Sequence, residues 1–204
     1  MYISWHGQNC FKIQFEKSFL IIDPFNPKET GLSLNNPKAD IVAFTDSEAE
    51  AKEVKPANGD IFRISSPGEY EIKGIFIYAI SLGDKKNLIY HIESEQVSIG
   101  HLGNLNRTLS SKELEQLNGI DVLLIPVGGN KVLDAVKAVD LVSQIEPRIV
   151  IPMHYALPGL KEKLDSVDRF CKEVGSCEKE KLDKLKVAKK DLPAEETRFC
   201  ILNP

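Results

Sequence analysis

Two short aliphatic runs decide the fold: Val122-Leu123-Leu124-Ile125, stopped by Pro126, and Ile149-Val150-Ile151, stopped by Pro152. Runs of this length bounded by turn signals read as strands buried on both faces. Between them Val132, Ala135, Val136, Val139, Val142 and Ile145 recur at helical spacing, which predicts an amphipathic helix with that stripe inward. Strand, helix, strand is the unit of an α/β fold.

Working outward, Leu160, Leu164, Val167 and Phe170 predict a second amphipathic helix, closed near Gly175. Residues 185–187 and 199–202 are candidates for terminal strands. On the other side, Ser110-Ser111-Lys112-Glu113 is a capping box that opens a helix. The first half of the chain is different in kind. Residues 10–15, 19–22, 41–44, 61–64, 69–72, 75–80, 88–92 and 96–99 read as strands. Pro67-Gly68, Lys73-Gly74 and Gly83-Asp84 separate several of them, the pattern of hairpins or a meander. Pro24, Pro27, Gly31 and Pro37 mark a loop long enough to be functional, and residues 46–53 suit a short helix. The whole reads as one α/β domain with a mixed sheet system.

Composition narrows the function. The chain has 204 residues, 42% hydrophobic, with 26 basic and 30 acidic residues and a net charge of -4. That balance argues against a nucleic-acid or acidic-membrane binder. Mean hydropathy is -0.19, and no apolar run is long enough to span a bilayer. Met1-Tyr2-Ile3-Ser4-Trp5-His6 lacks the basic and apolar regions of a secretory leader. The expectation is a cytoplasmic protein whose four cysteines (Cys10, Cys171, Cys177, Cys200) are reduced. Residues 134–144 and 160–172 offer helical faces for self-association.

Polar residues follow several buried strands, where loops can hold a site on a rigid frame. They are Asp23, the run Thr45-Asp46-Ser47-Glu48-Ala49-Glu50, Ser81, His101-Leu102-Gly103-Asn104, and His154-Tyr155. Singly, each has an ordinary explanation: a turn residue, an acidic first helical turn, a hydrogen-bonded histidine.

Together they resemble a known family. Trp5-His6-Gly7, Ile22-Asp23-Pro24-Phe25, Pro67-Gly68-Glu69-Tyr70, His101-Leu102-Gly103-Asn104, Pro126-Val127-Gly128-Gly129 and Ile151-Pro152-Met153-His154-Tyr155 occur in the order of the metallo-β-lactamase fold. The closest likeness is to its short prokaryotic branch of Zn-dependent hydrolases. The resemblance spans nearly the whole chain and implies a four-layer αββα sandwich with a metal site at one edge of the two sheets. It also implies where ligands belong, and there this sequence departs. Where the family carries T-H-x-H-x-D-H, this chain has Thr45-Asp46-Ser47-Glu48-Ala49-Glu50-Ala51. The family's third-strand histidine falls on Ser81, its bridging aspartate on Asn104, and an N-terminal histidine on Gln8. His154 alone remains as a matched histidine, with Asp23 beside it.

The resemblance therefore implies vestigial ligand positions: Asp46, Glu48, Glu50, Ser81, Asn104 and His154, with Gln8 and Asp23 nearby. No metal or cofactor and no catalytic residue is expected. Neutral amides and hydroxyls bind zinc weakly, and the family's zinc-bound hydroxide needs the metal. Two alternatives stay open. Three carboxylates and a histidine suit magnesium or manganese and an ester or phosphodiester substrate. A metal-free hydrolase would use His154 as base with Ser81 and Asp23.

Overall fold

A computed structural model of the chain describes residues 1–46, 52–83, 86–175, 177–178 and 180–204. Its frame is a pair of sheets. In the first, β1 (Tyr2–Trp5), β2 (Phe11–Gln14) and β3 (Phe19–Ile22) form an antiparallel meander. The chain then crosses through the short helix α1 (Pro27–Thr30), which opens on Pro27 behind an Asn26 cap, and through β4 (Lys38–Ala39). It returns as β5 (Ile41–Ala43), parallel to β3. After β6 (Lys55–Pro56), which pairs with β4, β7 (Phe62–Ile64) lies parallel to β5.

The second sheet repeats that plan. β8 (Gly68–Ile72), β9 (Ile75–Ser81), β10 (Leu88–Ser94) and β11 (Val97–His101) run antiparallel. After helix α2 (Ser111–Glu115), β12 (Val122–Pro126) adds parallel to β11. Helix α3 (Ala135–Ile145) leads to β13 (Ile149–Met153), parallel to β12. Helix α4 (Val167–Glu173) follows. β14 (Leu185–Lys186) then returns to the first sheet beside β1, and β15 (Arg198–Phe199) closes the second beside β13. The mixed α/β sandwich expected from the sequence is the architecture observed.

The period of two along a strand sorts the interior. Leu20 and Ile22 of β3, and Ile41 and Ala43 of β5, join the main core, which also takes residues from the second sheet. Ile21 and Val42, one residue out of phase, face a second cluster with Cys10, Leu34, Ala39 and Val54. Every residue of β12 and of β13 is buried. Each large aliphatic side chain so buried contributes roughly 1.5–3 kcal/mol. Among the described residues no helix is long and apolar enough to cross a membrane.

Three expectations need correction. The α3 stripe is rotated: Ala135, Ala138, Leu141 and Val142 are buried, whereas Val136 is 55% exposed. Val132 is buried but lies before the Asp134 cap, so it belongs to the loop and cannot set the phase of the helix. The second amphipathic helix begins only at Val167, behind Ser166, because residues 156–165 are held as a loop. Ala156 N–H bonds Asp165 O, and Asp165 N–H bonds Gly128 O. Finally, Cys171 and Cys177 form a disulfide, while Cys10 and Cys200 are free and buried. The turn at Gly175 (φ +90°) folds the chain back after α4 and brings the two Cα atoms to 5.2 Å. The expected helix at 46–53 falls largely outside the described residues.

Candidate functional site

Strands of both sheets end at one edge, and the loops beyond them surround a cleft of about 330 Å³. Gln8 and Asn9 come from the β1–β2 turn, Asp23 from the end of β3, Asp46 from beyond β5, Asn104 from beyond β11 and His154 from the end of β13. Pro24, Phe25 and Phe44 supply apolar wall, and Glu29 and Thr30 of α1 form one side.

Asn9, only 4% exposed, is the hub. Its Nδ2 donates to Asn104 Oδ1 at 2.6 Å, and its Oδ1 lies 2.8 Å from His154 Nδ1. Its backbone oxygen accepts from His101 Nε2 at 2.9 Å. His154 Nε2 faces Glu162 Oε2 at 3.3 Å, and a carboxylate only accepts, so that nitrogen carries a proton. Gln8 Nε2 donates to the same Glu162 oxygen at 3.1 Å. The bond to His154, reinforced by its charge and by Gln8, holds the Glu162 carboxyl below the usual range against its partial burial.

Asp23 is held differently. Its Oδ1 accepts from Thr45 N–H at 2.7 Å and its Oδ2 from the Thr45 hydroxyl. Burial pushes its carboxyl up to about 7; the two Thr45 bonds oppose that shift and the nearby Asp46 charge adds to it. Glycine lets these parts approach. A Cβ on Gly103 (φ +52°) would lie 2.7 Å from Thr45 Cβ, and one on Gly128 would lie 2.1 Å from His154 O. Gln8, Asp23 and His154 all have left-handed backbones, with φ of 49°, 47° and 51°. Such strain in non-glycine residues collects at functional sites.

Most of the sequence-derived positions therefore converge. Gln8, Asp23, Asp46, Asn104 and His154 share the cleft. Ser81, at the end of β9 opposite Leu88, is not among its lining residues. Glu48 and Glu50 lie outside the described residues. Glu162, in a loop without periodicity, carries no sequence signal, and neither does Asn9 as a hub, although Gly7-Gln8-Asn9 marks the turn that holds it.

Among the described residues, the donor set does not match the paired zinc ions of the family. Zinc needs unprotonated imidazole nitrogens or carboxylates around an open position. His154 turns both ring nitrogens to protein partners, Asn104 turns its amide oxygen to Asn9, and Asp23 turns both oxygens to Thr45. Among the described residues no three His, Cys, Asp or Glu side chains gather as a metal-holding group.

Comparison with known proteins agrees with the fold. Residues 2–154 match the family model described as the Beta-lactamase superfamily domain. A metallo-β-lactamase superfamily structure from Thermotoga maritima superposes with a TM-score of 0.84 at 30% identity, over 99% of this chain and 98% of that one. The chain belongs to the metallo-β-lactamase superfamily. A UPF0173 protein of Pyrococcus abyssi is 27% identical over 185 residues, covering 78% of this chain and 85% of the relative. A UPF0173 metal-dependent hydrolase of Methanopyrus kandleri is 23% identical over 215 residues, covering 86% and 93%.

Proposed function

We propose that this chain, one domain across its length and cytoplasmic, keeps the superfamily frame without the di-zinc centre and uses the cleft to bind rather than to hydrolyse. One observation carries the reading: His154, the histidine at a matched ligand position, is engaged at Nδ1 by Asn9 and at Nε2 by Glu162. Gln8 and Asn104, neutral amides, stand where the family's ligands would be. Without a zinc ion nothing lowers the pKa of a bound water to about 7. The kinship with proteins named metal-dependent hydrolases supports the origin of the frame, and the donor chemistry supports its divergence.

A second reading has an observation of its own: Asp23 and Asp46 share the cleft, close enough for the charge of Asp46 to raise the carboxyl of Asp23. Oxygen donors suit magnesium or manganese, which would make the protein a hydrolase of esters or phosphodiesters.

Elemental mass spectrometry of protein purified without chelator or nickel separates the two, together with melting curves in zinc, magnesium and manganese. The binding reading expects metal far below one equivalent and an unmoved melting temperature. Stoichiometric metal, or stabilisation by magnesium or manganese that Asp46→Asn abolishes, replaces it with the second.

A further inference from the structure

We infer that the free edge of β8 docks an extended segment of a partner protein in which basic and apolar residues alternate. This surface is separate from the cleft, which no residue of β8 lines.

The backbone supplies the first observation. β8 ends its sheet and, among the described residues, pairs with β9 alone. Lys73 and Gly74, at φ of 55° and 76°, form the two-residue turn between the strands. Such a turn closes on a hydrogen-bonded pair, here Ile72 and Ile75. Bonded and non-bonded pairs alternate along an antiparallel ladder. Gly68, Tyr70 and Ile72 therefore bond to β9, while Glu69 and Glu71 turn their N–H and C=O groups to the free edge. Both glutamates are exposed. An edge of this kind is a template for an added strand.

Charge supplies the second observation, on the same two residues. The side chains of Glu69 and Glu71 share one face of β8. Beside them on that face lie Tyr78 and His91 in one row, and Phe76 and Glu93 in the next. β8, β9 and β10 contain no lysine or arginine, and Lys73 in the turn is held by Asp40 at 2.9 Å. Residues directly opposite in a ladder interact through their side chains, so two basic residues two positions apart would meet Glu69 and Glu71. The residue between them would fall on the other face, beside Tyr70. There the Tyr70 ring meets Phe62 edge-on at 6.0 Å, and Phe62 is 44% exposed. The edge thus specifies a basic–apolar–basic segment.

A second copy of the chain does not fit. Two β8 strands joined about a two-fold axis at Tyr70 would set Glu69 against Glu71 on both sides, and like charges directly opposite repel. Lys184-Leu185-Lys186 has the required pattern, but that segment is already paired with β1 and Leu185 is buried.

The experiment is titration of the isotope-labelled full chain with blocked short peptides at physiological salt, followed by amide NMR. One peptide alternates lysine and valine, a second alternates glutamate and valine, and a third is the lysine peptide methylated on its lysine backbone nitrogens. The lysine peptide is expected to bind saturably, to shift the β8 amides and to slow hydrogen exchange at Glu69 and Glu71. The other two peptides are expected to bind about tenfold more weakly. Glu69→Lys combined with Glu71→Lys is expected to weaken the lysine peptide about tenfold, and Glu69→Gln combined with Glu71→Gln less. If the lysine variant does not fold, the glutamine variant and the methylated peptide carry the test. Equal affinity of the methylated and unmethylated peptides shows plain charge attraction and overturns the inference. So do shifts centred on the cleft, no binding, or self-association of the chain that the variants abolish.

Discussion

The interior and the cleft of this molecule are built by opposite rules. In β12 and β13 every side chain is buried, and almost all are aliphatic. At the cleft, three non-glycine residues adopt left-handed backbones, a half-buried aspartate has its carboxyl raised to about 7, and an amide oxygen lacks a partner among the described residues. The two histidines tied to Asn9 show the contrast at one residue. His101 is 0% exposed, donates from Nε2 to Asn9 O and accepts at Nδ1 from Gly103 N–H; its rim meets Phe11 edge-on. Burial drives its pKa down to about 4, so it packs as a neutral core residue. His154 faces a carboxylate and a cleft. Local strain and unmet polarity are tolerated where a well-packed interior over-determines the backbone.

The comparison can be broken at its strongest point first. Leu124→Ala empties a site in the middle of β12 and is expected to cost about 2–5 kcal/mol in urea unfolding. A loss well under one kcal/mol would mean that the cleft, not the interior, holds the fold. A smaller effect is expected from Gly128→Ala, where the new methyl meets the His154 carbonyl: about 1–3 kcal/mol, with displacement of the His154 imidazole resonances. Loss of stability with His154 unmoved would show that the strand end is softer than its contacts imply.

The smallest net effect is one of shape, because two titrations oppose each other. His101 takes up a proton near 6.5 when unfolded and near 4 when folded. The unfolded chain therefore binds more protons between those values, and stability falls as the pH drops through that window. Asp23 runs the other way. It ionises near 3.8 when unfolded and near 7 when folded, so the folded chain holds the extra proton and stability falls as the pH rises from about 4 to 7. Asp23→Asn should leave a stability curve that rises from pH 4 to 6.5, and His101→Gln one that falls towards pH 7. Denaturant midpoints across pH 4–8 check both, and parallel curves for the two variants would refute the assignment.

What the sequence disclosed follows the same divide. Aliphatic runs stopped by Pro126, Pro152 and Asp23-Pro24 mark strands whatever surrounds them, so the sheet system was readable. The α3 stripe was read out of phase because Val136 is apolar yet exposed, and hydrophobic spacing cannot tell an inward valine from an outward one. In the cleft, five positions could be found because each follows a strand end. Ser81, at the end of β9, does not line the cleft, since a family correspondence fixes order along the chain and not position around a pocket. Glu162 was missed because its role is set by where a loop returns. The disulfide was missed because a compartment-based expectation ignored the turn that brings Cys171 and Cys177 together.

Asn9 has a mechanical consequence. It sits in a turn of the first sheet and grips the ends of two strands of the second, through His101 and His154, as well as the loop at Asn104. It acts as a rivet between two jaws. Widening the cleft would shear three bonds at one residue, so the jaws keep a fixed gape. Any molecule entering there would meet a gap of set width, as a key meets a lock whose pins do not move.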